Sequence, residues 1–271
     1  MDEHFSKYYT FNRITTIMEY CRVIPCLDTK DGRLVKGINF VNLKDLGDPA
    51  ENGEAYCKAG ADELVFLDIT ATLEGRKTFI EAVKRTVAKI NIPLTVGGGI
   101  SSLENIQELF DIGVSKVSMN SAAVKNPEFV KQAAEKFGSD RIVVAIDTRK
   151  SETLPSGFEV VVSGGTKGTG LDAVAWAKEV EKLGAGAILP TSMDTDGKQT
   201  GYDILMTRAI ADAVKIPIIA SGGAGSLEHL FEAVDKGHAN AVLVASIAHY
   251  GTFTIRQMKE YLASKGVKVR L

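Results

Sequence analysis

The chain has 271 residues, 45% of them hydrophobic and 24% charged, with a formal net charge of −2. This composition is typical of a globular protein with a large core, and the small net charge gives no reason to expect nucleic acid or a membrane as a partner. No apolar run in the sequence reaches the roughly 18 residues of a membrane-spanning helix. Three cysteines without zinc-ligand spacing or disulfide density predict a reducing, cytoplasmic location: Cys21, Cys26 and Cys57.

The N-terminal segment differs from the rest of the chain. Residues 1–17 are polar and aromatic, show neither helical nor strand periodicity, and lack the apolar stretch of a signal peptide. We expect them to form a loose extension, with a regulatory or docking segment as the alternative. The folded domain is then expected to cover residues 18–271.

Short apolar runs alternate with longer amphipathic segments through this domain. Eight runs are nearly continuous in apolar residues, as is typical of parallel strands covered on both faces: Val23–Leu27, Glu63–Asp68, Leu94–Gly97, Lys116–Met119, Val143–Ile146, Ala187–Pro190, Ile218–Ala220 and Ala241–Ala245. The predicted helices are Lys77–Lys89, Leu103–Asp111, Glu128–Phe137, Ala173–Leu183, Ile204–Ala213, Leu227–Asp235 and Ile255–Ser264. Eight strand–helix units predict a single α/β domain folded as a (β/α)8 barrel, with an open doubly wound sheet as the alternative.

Two stretches of the chain repeat each other roughly 124 residues apart. Residues 94–99 read Leu-Thr-Val-Gly-Gly-Gly and residues 218–223 read Ile-Ile-Ala-Ser-Gly-Gly, each after an Ile-Pro pair. A second apolar run follows each stretch and leads into Asn120-Ser121 or Ser246. The repeat favours a barrel built from two halves. Because Gly-rich turns let backbone N–H groups approach a phosphate, we expect a ligand with a phosphate at each end.

Polar residues at the carboxyl ends of barrel strands face the active site in this fold. Asp28 and Asp147 end the first and fifth predicted strands, which face each other across an eight-stranded barrel. Such a pair can act as general acid and general base; the alternative is that one or both only cap a turn. The first phosphate site is expected at Gly98, Gly99, Asn120 and Ser121, and the second at Ser221, Gly222, Gly223, Ala245 and Ser246.

Two long loops are candidates for lids over this site. The loop Asp28–Leu46 is charged, and its Lys36 could close over an anionic substrate, with a solvated surface charge as the alternative. The loop at residues 148–170 is rich in glycine. No residue cluster has metal-ligand spacing and no dinucleotide fingerprint is present, so neither metal nor cofactor is expected. The histidines expected to be surface or packing residues are His229, His238 and His249.

Ordered motifs run from Arg22 to Arg270 and leave only the N-terminal extension outside. They include Ile24-Pro-Cys-Leu-Asp28, Asp62–Thr70, Val96–Ile100, Asn120–Val124, Val143–Asp147, Gly201-Tyr-Asp203 and Ile219–Gly225. Together they closely resemble the cyclase subunit of imidazole glycerol phosphate synthase, the HisF family of histidine biosynthesis.

The resemblance implies a substrate, a reaction and roles for residues. The implied substrate is PRFAR, an open ribulosyl aminoimidazole carboxamide nucleotide with a phosphate at each end. Addition of ammonia, elimination and ring closure would yield imidazole glycerol phosphate and the ribotide AICAR. The implied catalytic pair is Asp28 and Asp147. The sequence does not indicate which of them is the general acid and which the general base. The implied binding residues also include Lys36, Asp196 and Gly197.

The resemblance further implies a partner, a separate glutaminase subunit that docks on the N-terminal face of the barrel and delivers ammonia through its interior. This chain has no nucleophile–His–acid set of its own for glutamine hydrolysis. The family closes the barrel at that face with a ring of four charged residues, matched here by Arg22, Glu63 and Lys116. Ala187 stands where a glutamate is expected, and the ring should be looser or rearranged.

Three more departures accompany Ala187: Ser115 replaces an interface aspartate, Pro190 an aliphatic strand residue and Thr195 an arginine. They predict an ammonia-dependent cyclase with weakened or altered coupling to the glutaminase. One alternative is the sister barrel isomerase that acts on ProFAR, which the motifs at Asp62–Thr70 and Asn120 disfavour. The other is a drifted barrel that binds phosphate ligands without turnover, which the intact aspartates and Lys36 disfavour.

Overall fold

The computed structural model describes residues 20–38, 41–69 and 73–271. The predicted N-terminal extension, residues 1–17, lies outside the described residues. The strands are β1 (Arg22–Lys30), β2 (Arg33–Ile38), β3 (Val41–Gly47), β4 (Leu64–Asp68), β5 (Leu94–Gly97), β6 (Lys116–Met119), β7 (Ile142–Lys150), β8 (Phe158–Val162), β9 (Lys167–Asp172), β10 (Ala187–Ser192), β11 (Ile219–Ala220) and β12 (Ala241–Val244). The helices are α1 (Pro49–Lys58), α2 (Leu73–Val87), α3 (Leu103–Asp111), α4 (Ser121–Lys125), α5 (Glu128–Phe137), α6 (Ala173–Lys182), α7 (Ile204–Ala211), α8 (Leu227–Asp235), α9 (Ser246–His249) and α10 (Ile255–Ser264).

Eight parallel strands close into a barrel in the order β1-β4-β5-β6-β7-β10-β11-β12. Strand β12 returns to β1, with Ala241 opposite Arg22. Two bridges, Ile188 to Ile218 and Thr191 to Ser221, join β10 to β11 and complete the ring. The predicted (β/α)8 barrel is therefore confirmed, and the open doubly wound sheet is excluded because no pair of neighbouring strands in this ring is left unjoined.

Pro190 lies within β10, opposite Ile146 of β7, and the strand continues through it. Its carbonyl accepts a hydrogen bond from the Ser221 N–H at 3.2 Å. Proline has no N–H to donate in return. This missing donor explains why β10 and β11 meet in separate bridges rather than in a continuous ladder.

Two apolar cores explain why the strands read as continuous hydrophobic runs. Alternate side chains of each strand point outward, where Val23, Leu64 and Phe66 pack with the helices. The others point into the barrel, where Ile24 and Val65 belong to an inner cluster. Both faces of each strand are thus buried, so a polar residue within a strand needs a separate explanation.

The two predicted lid loops contain antiparallel hairpins, whereas their sequences predicted irregular loops. Strands β2 and β3 extend from β1, and β8 and β9 extend from β7. Consequently Asp28 and Asp147 lie within β1 and β7 instead of at their ends. The following helices α1 and α6 are capped by Asp48 and Asp172, so neither predicted catalytic aspartate serves as that cap.

The predicted two-fold repeat is visible in the backbone angles. Ser102 and Ser226, which cap α3 and α8, have φ/ψ values of −146°/161° and −145°/167°. Asn120 and Ala245, which precede α4 and α9, have values of −123°/−82° and −131°/−84°. Equivalent residues of the two halves therefore adopt the same local conformation. Within the described ranges, no helix combines the length and apolarity that crossing a bilayer requires.

Candidate active site

A cavity of about 850 Å³ opens at the carboxyl ends of the barrel strands. Its volume suits a ligand of nucleotide size. The structure brings nearly all predicted catalytic and substrate-binding residues to its wall: Asp28, Gly98, Gly99, Asn120, Ser121, Asp147, Asp196, Gly197, Ser221, Gly222, Gly223, Ala245 and Ser246.

Lys36 is the predicted site residue of the first long loop. It lies in β2, where its backbone pairs with Lys44 of β3. Its side chain lies outside the part of the chain that the structure describes. Its predicted contact with an anionic substrate therefore stays a prediction.

The two aspartates occupy opposite walls of the cavity. Asp28 lies in β1 and Asp147 in β7, and three strands separate them on either side of the ring. A ligand held between them can be reached by one carboxyl group from each side. This arrangement allows one group to donate a proton while the other accepts one.

Asp147 is half-buried, and its surroundings favour the protonated carboxyl group. Burial raises the pKa of Asp147 from its usual range to about 7; a hydrogen bond from Asn120 opposes the rise, and the negative charge of Asp196 adds to it. The Asn120 Nδ2 atom donates to Asp147 Oδ2 at 2.9 Å. Asp147 can therefore both give and take a proton near neutral pH.

Asp28 has a different neighbourhood. It is buried, and the Cys26 Sγ atom lies 3.5 Å from its Oδ1 atom, at hydrogen-bond distance for a thiol donor. Cys26 also lines the cavity. The two aspartates are thus equivalent in position but hydrogen-bonded to different chemical groups.

The first glycine turn packs tightly against the neighbouring strand. Gly98 has φ +94°, and a Cβ atom there would collide with the backbone carbonyl of Asp68. Only glycine satisfies both constraints. The Ser121 hydroxyl accepts a hydrogen bond from the Ser163 N–H at 3.1 Å, which places the β8–β9 hairpin against the start of α4.

The second glycine turn has the equivalent construction. Gly223 has φ +103°, and a Cβ atom there would collide with the Gly201 carbonyl. The Thr195 hydroxyl lies 3.3 Å from the Gly222 carbonyl and donates to it. Thr195 therefore lies beside this turn at the C-terminal mouth. The predicted bearing of Thr195 on glutaminase coupling stays a prediction.

In each half, the strand after the glycine turn leads into a short helix that begins at the cavity, α4 after β6 and α9 after β12. No side chain caps the helix after Asn120 or the helix after Ala245. The first backbone N–H groups of these helices are consequently left for solvent or an anion. Two such groups of donors, one in each half, match a ligand with two phosphates.

The glycine-rich loop at residues 148–170, predicted as a candidate lid, forms one wall of the cavity through Ser163, Gly164 and Thr166 in the turn of the β8–β9 hairpin. The sequence did not mark these three as site residues, because their position depends on the pairing of β8 with β7. Among the described residues, no group of three or more His, Cys, Asp or Glu side chains could hold a metal ion.

The opposite mouth of the barrel carries the predicted charged residues. Glu63 pairs with Arg22 at 2.5 Å and also with Lys116. Ala187, the first residue of β10, is buried and adds no carboxylate. Among the described residues, the buried Nε atom of Arg22 has no hydrogen-bond partner. One carboxylate therefore faces two cations, as the sequence predicts.

Comparison with known proteins agrees with this fold and site. A family model described as "Histidine biosynthesis protein" matches residues 22–254, which places the barrel among the enzymes of that pathway. Imidazole glycerol phosphate synthase subunit HisF of Microcystis aeruginosa is 58% identical over 251 residues, covering 92% of this chain and 98% of the relative. The HisF subunits of Prochlorococcus marinus strain MIT 9211 and Trichormus variabilis are 58% and 57% identical, with 96% and 98% of their lengths covered. The chain belongs to the HisF family of imidazole glycerol phosphate synthase subunits.

Proposed function

We propose that this chain catalyses the cyclase reaction, in which PRFAR and ammonia give imidazole glycerol phosphate and AICAR. The observation that carries the proposal is one cavity with a carboxyl group on each of two opposite walls and a glycine turn in each half. The turns bind the two phosphates and hold the reacting carbons between Asp28 and Asp147. Binding at both ends limits the motion of the substrate, which favours attack by a small nucleophile.

The two aspartates move protons during the reaction. Ammonia adds to the ribulosyl carbonyl, and loss of water gives an imine. One carboxyl group donates to the departing oxygen, and the opposite carboxylate accepts a proton from nitrogen. The same pair then serves elimination of AICAR and closure of the imidazole ring. The pKa of Asp147, raised to about 7, supports its exchange between both forms at neutral pH.

Ammonia comes from a glutaminase subunit on the N-terminal face. The relatives are named as subunits, which supports a complex. The barrel interior between the two mouths is lined by apolar side chains, among them Ile24, Val65 and Val143. Neutral ammonia crosses such a lining more readily than ammonium, because burial of a charge is costly. The proposed route therefore delivers the reactive form of the nucleophile.

Coupling between the two activities is weakened in this chain. The ring at the ammonia entrance lacks its fourth charged member, a second carboxylate, at Ala187, and Arg22 Nε is unpaired within the described part. Ser115, beside Lys116, replaces an aspartate that the family resemblance implies at the interface. Ammonia-dependent turnover should therefore exceed glutamine-dependent turnover in the presence of the partner. Equal rates would contradict this part of the proposal.

The first experiment measures turnover of PRFAR by the purified chain alone, with an ammonium salt at alkaline pH. Turnover in the wild type that is lost in both Asp28→Asn and Asp147→Asn supports the cyclase. Turnover of ProFAR without ammonia would instead identify a sister isomerase. Binding of PRFAR without turnover would identify a drifted barrel.

A further inference from the structure

His249 forms a polar link between two parts of the barrel. Its Nε2 atom lies 2.8 Å from the backbone carbonyl oxygen of Cys26, and its Nδ1 atom lies 2.6 Å from the Tyr56 hydroxyl. A carbonyl only accepts hydrogen bonds, so Nε2 carries the proton and donates. In the neutral ring, Nδ1 then accepts from Tyr56. The ring is therefore held in one tautomer and one orientation.

The link connects the second phosphate turn, which is the Ala245–Ser246 segment between β12 and α9, to the strand of an aspartate. His249 ends α9, the helix that Ser246 begins at the cavity wall, and its backbone N–H donates to the Ala245 carbonyl at 2.8 Å. Cys26 lies two residues before Asp28 in β1. Tyr56 approaches from α1. A movement of the second phosphate turn away from Asp28 would strain this link.

In the first half, a direct hydrogen bond between side chains makes the corresponding connection. Asn120 follows β6 and donates directly to Asp147 of the next strand at 2.9 Å. Its equivalent in the second half, Ala245, has only a methyl group, so no such bond to the next strand is possible. Conversely, the position equivalent to His249 in the first half is Val124, three residues after Ser121. Each half thus has a polar link between its phosphate segment and the strand of an aspartate, placed at a different position.

We propose that His249 is a positioning residue, which holds the second phosphate turn in register with β1 and Asp28. This inference rests on the proposed function, because it assumes that the turn binds one phosphate of the substrate. His249 contacts the backbone and Tyr56 and needs no contact with substrate. Its loss should displace bound substrate from Asp28 while the turn itself stays intact.

The test compares His249→Val with Tyr56→Phe. The valine variant copies the residue that the first half uses, and the phenylalanine variant removes only the hydroxyl group that bonds Nδ1. We expect kcat for PRFAR with ammonia to fall about tenfold in His249→Val and about threefold in Tyr56→Phe, with KM changed less than threefold. The double variant should be no slower than His249→Val alone, because both act through one link. A kcat within twofold of the wild type in folded His249→Val would overturn the inference.

A second measurement does not require turnover. Titration of the wild type with inorganic phosphate should shift the amide NMR signals of Cys26 and Asp28 as well as those of the turn. In His249→Val the turn signals should still respond, and the β1 signals should not. This result would support the link even if the wild type proved unable to turn over PRFAR. Equal responses of β1 in both proteins would refute it.

Discussion

The two halves of the barrel share a backbone but differ in the side chains around their aspartates. Asn120 and Ala245 have nearly the same φ and ψ angles, yet only Asn120 donates a hydrogen bond to the aspartate of the next strand. Asp147 lies beside that amide and near the charge of Asp196, whereas Asp28 lies beside a thiol. Repetition of the backbone yields two matched turns. Divergence of the side chains gives the two carboxyl groups different hydrogen-bond partners, which suits the different roles that we propose for them.

The largest effect should come from removing either carboxyl group. We expect Asp28→Asn and Asp147→Asn each to lower kcat about 10³-fold, because a positioned acid or base contributes on that scale. The residual activity of Asp28→Asn should keep an ionisation near pH 7, and that of Asp147→Asn should lose it. Rate–pH profiles of both variants measure this difference. An ionisation near pH 7 that survives in Asp147→Asn would assign it to another group.

The next effect concerns the amide that only the first half has. Asn120→Ala removes a hydrogen bond that lowers the pKa of Asp147, so the limb of the rate–pH profile that belongs to Asp147 should move to higher pH. We expect the rate at pH 7 to change about tenfold, because hydrogen bonds to charged groups have this strength. Ala245→Asn is the matched control, since it supplies the same amide to the second half. An unchanged limb in Asn120→Ala would contradict the assignment.

The next effect concerns the free energy of unfolding and leaves the rate aside. The folded-state pKa of Asp147 is raised from 3.8 to about 7, so its contribution to stability is full below the unfolded value and is lost as pH rises through about 7. Asp147→Asn removes the charge and should stabilise the protein on the order of 2 kcal/mol at pH 8, less than the full shift implies because the group is half-buried. Urea unfolding at pH 4 and pH 8 checks this. A gain that does not grow with pH would speak against a raised pKa.

The smallest effect lies at the opposite mouth, where Glu63 of the first half has no counterpart in the second because Ala187 takes the equivalent position. Ala187→Glu supplies a candidate partner for Arg22 Nε and balances the charges around Glu63. We expect glutamine-dependent turnover with the partner to rise about threefold, on the scale of one partly exposed ion pair. Ammonia-dependent turnover by the chain alone should stay within twofold. Ala187→Gln is the matched control without the charge, and equal gains in both variants would exclude a charge effect.

Short sequence patterns predicted the barrel strands, the two glycine turns and the pair of aspartates. Apolar runs predicted all eight barrel strands, since a parallel strand is buried on both faces wherever it lies in the barrel. Gly98 and Gly223 marked the two turns because no other residue fits the backbone there. Asp28 and Asp147 stood out because a carboxylate after an apolar run is unusual. Their meeting in one cavity then followed from the geometry of a closed barrel.

Tertiary structure decided what depends on contacts between distant residues. The hairpins beside β1 and β7 form by pairing with those strands, and their own sequences are rich in glycine and charge, which predicts loops. The pKa of Asp147 depends on burial and on Asn120 and Asp196, 27 and 49 residues away in sequence. The sequence predicts a surface or packing role for His249. Its hydrogen bond with Tyr56, 193 residues away, forms only in the folded chain. Pairing and desolvation act through space, so only the folded chain reveals them.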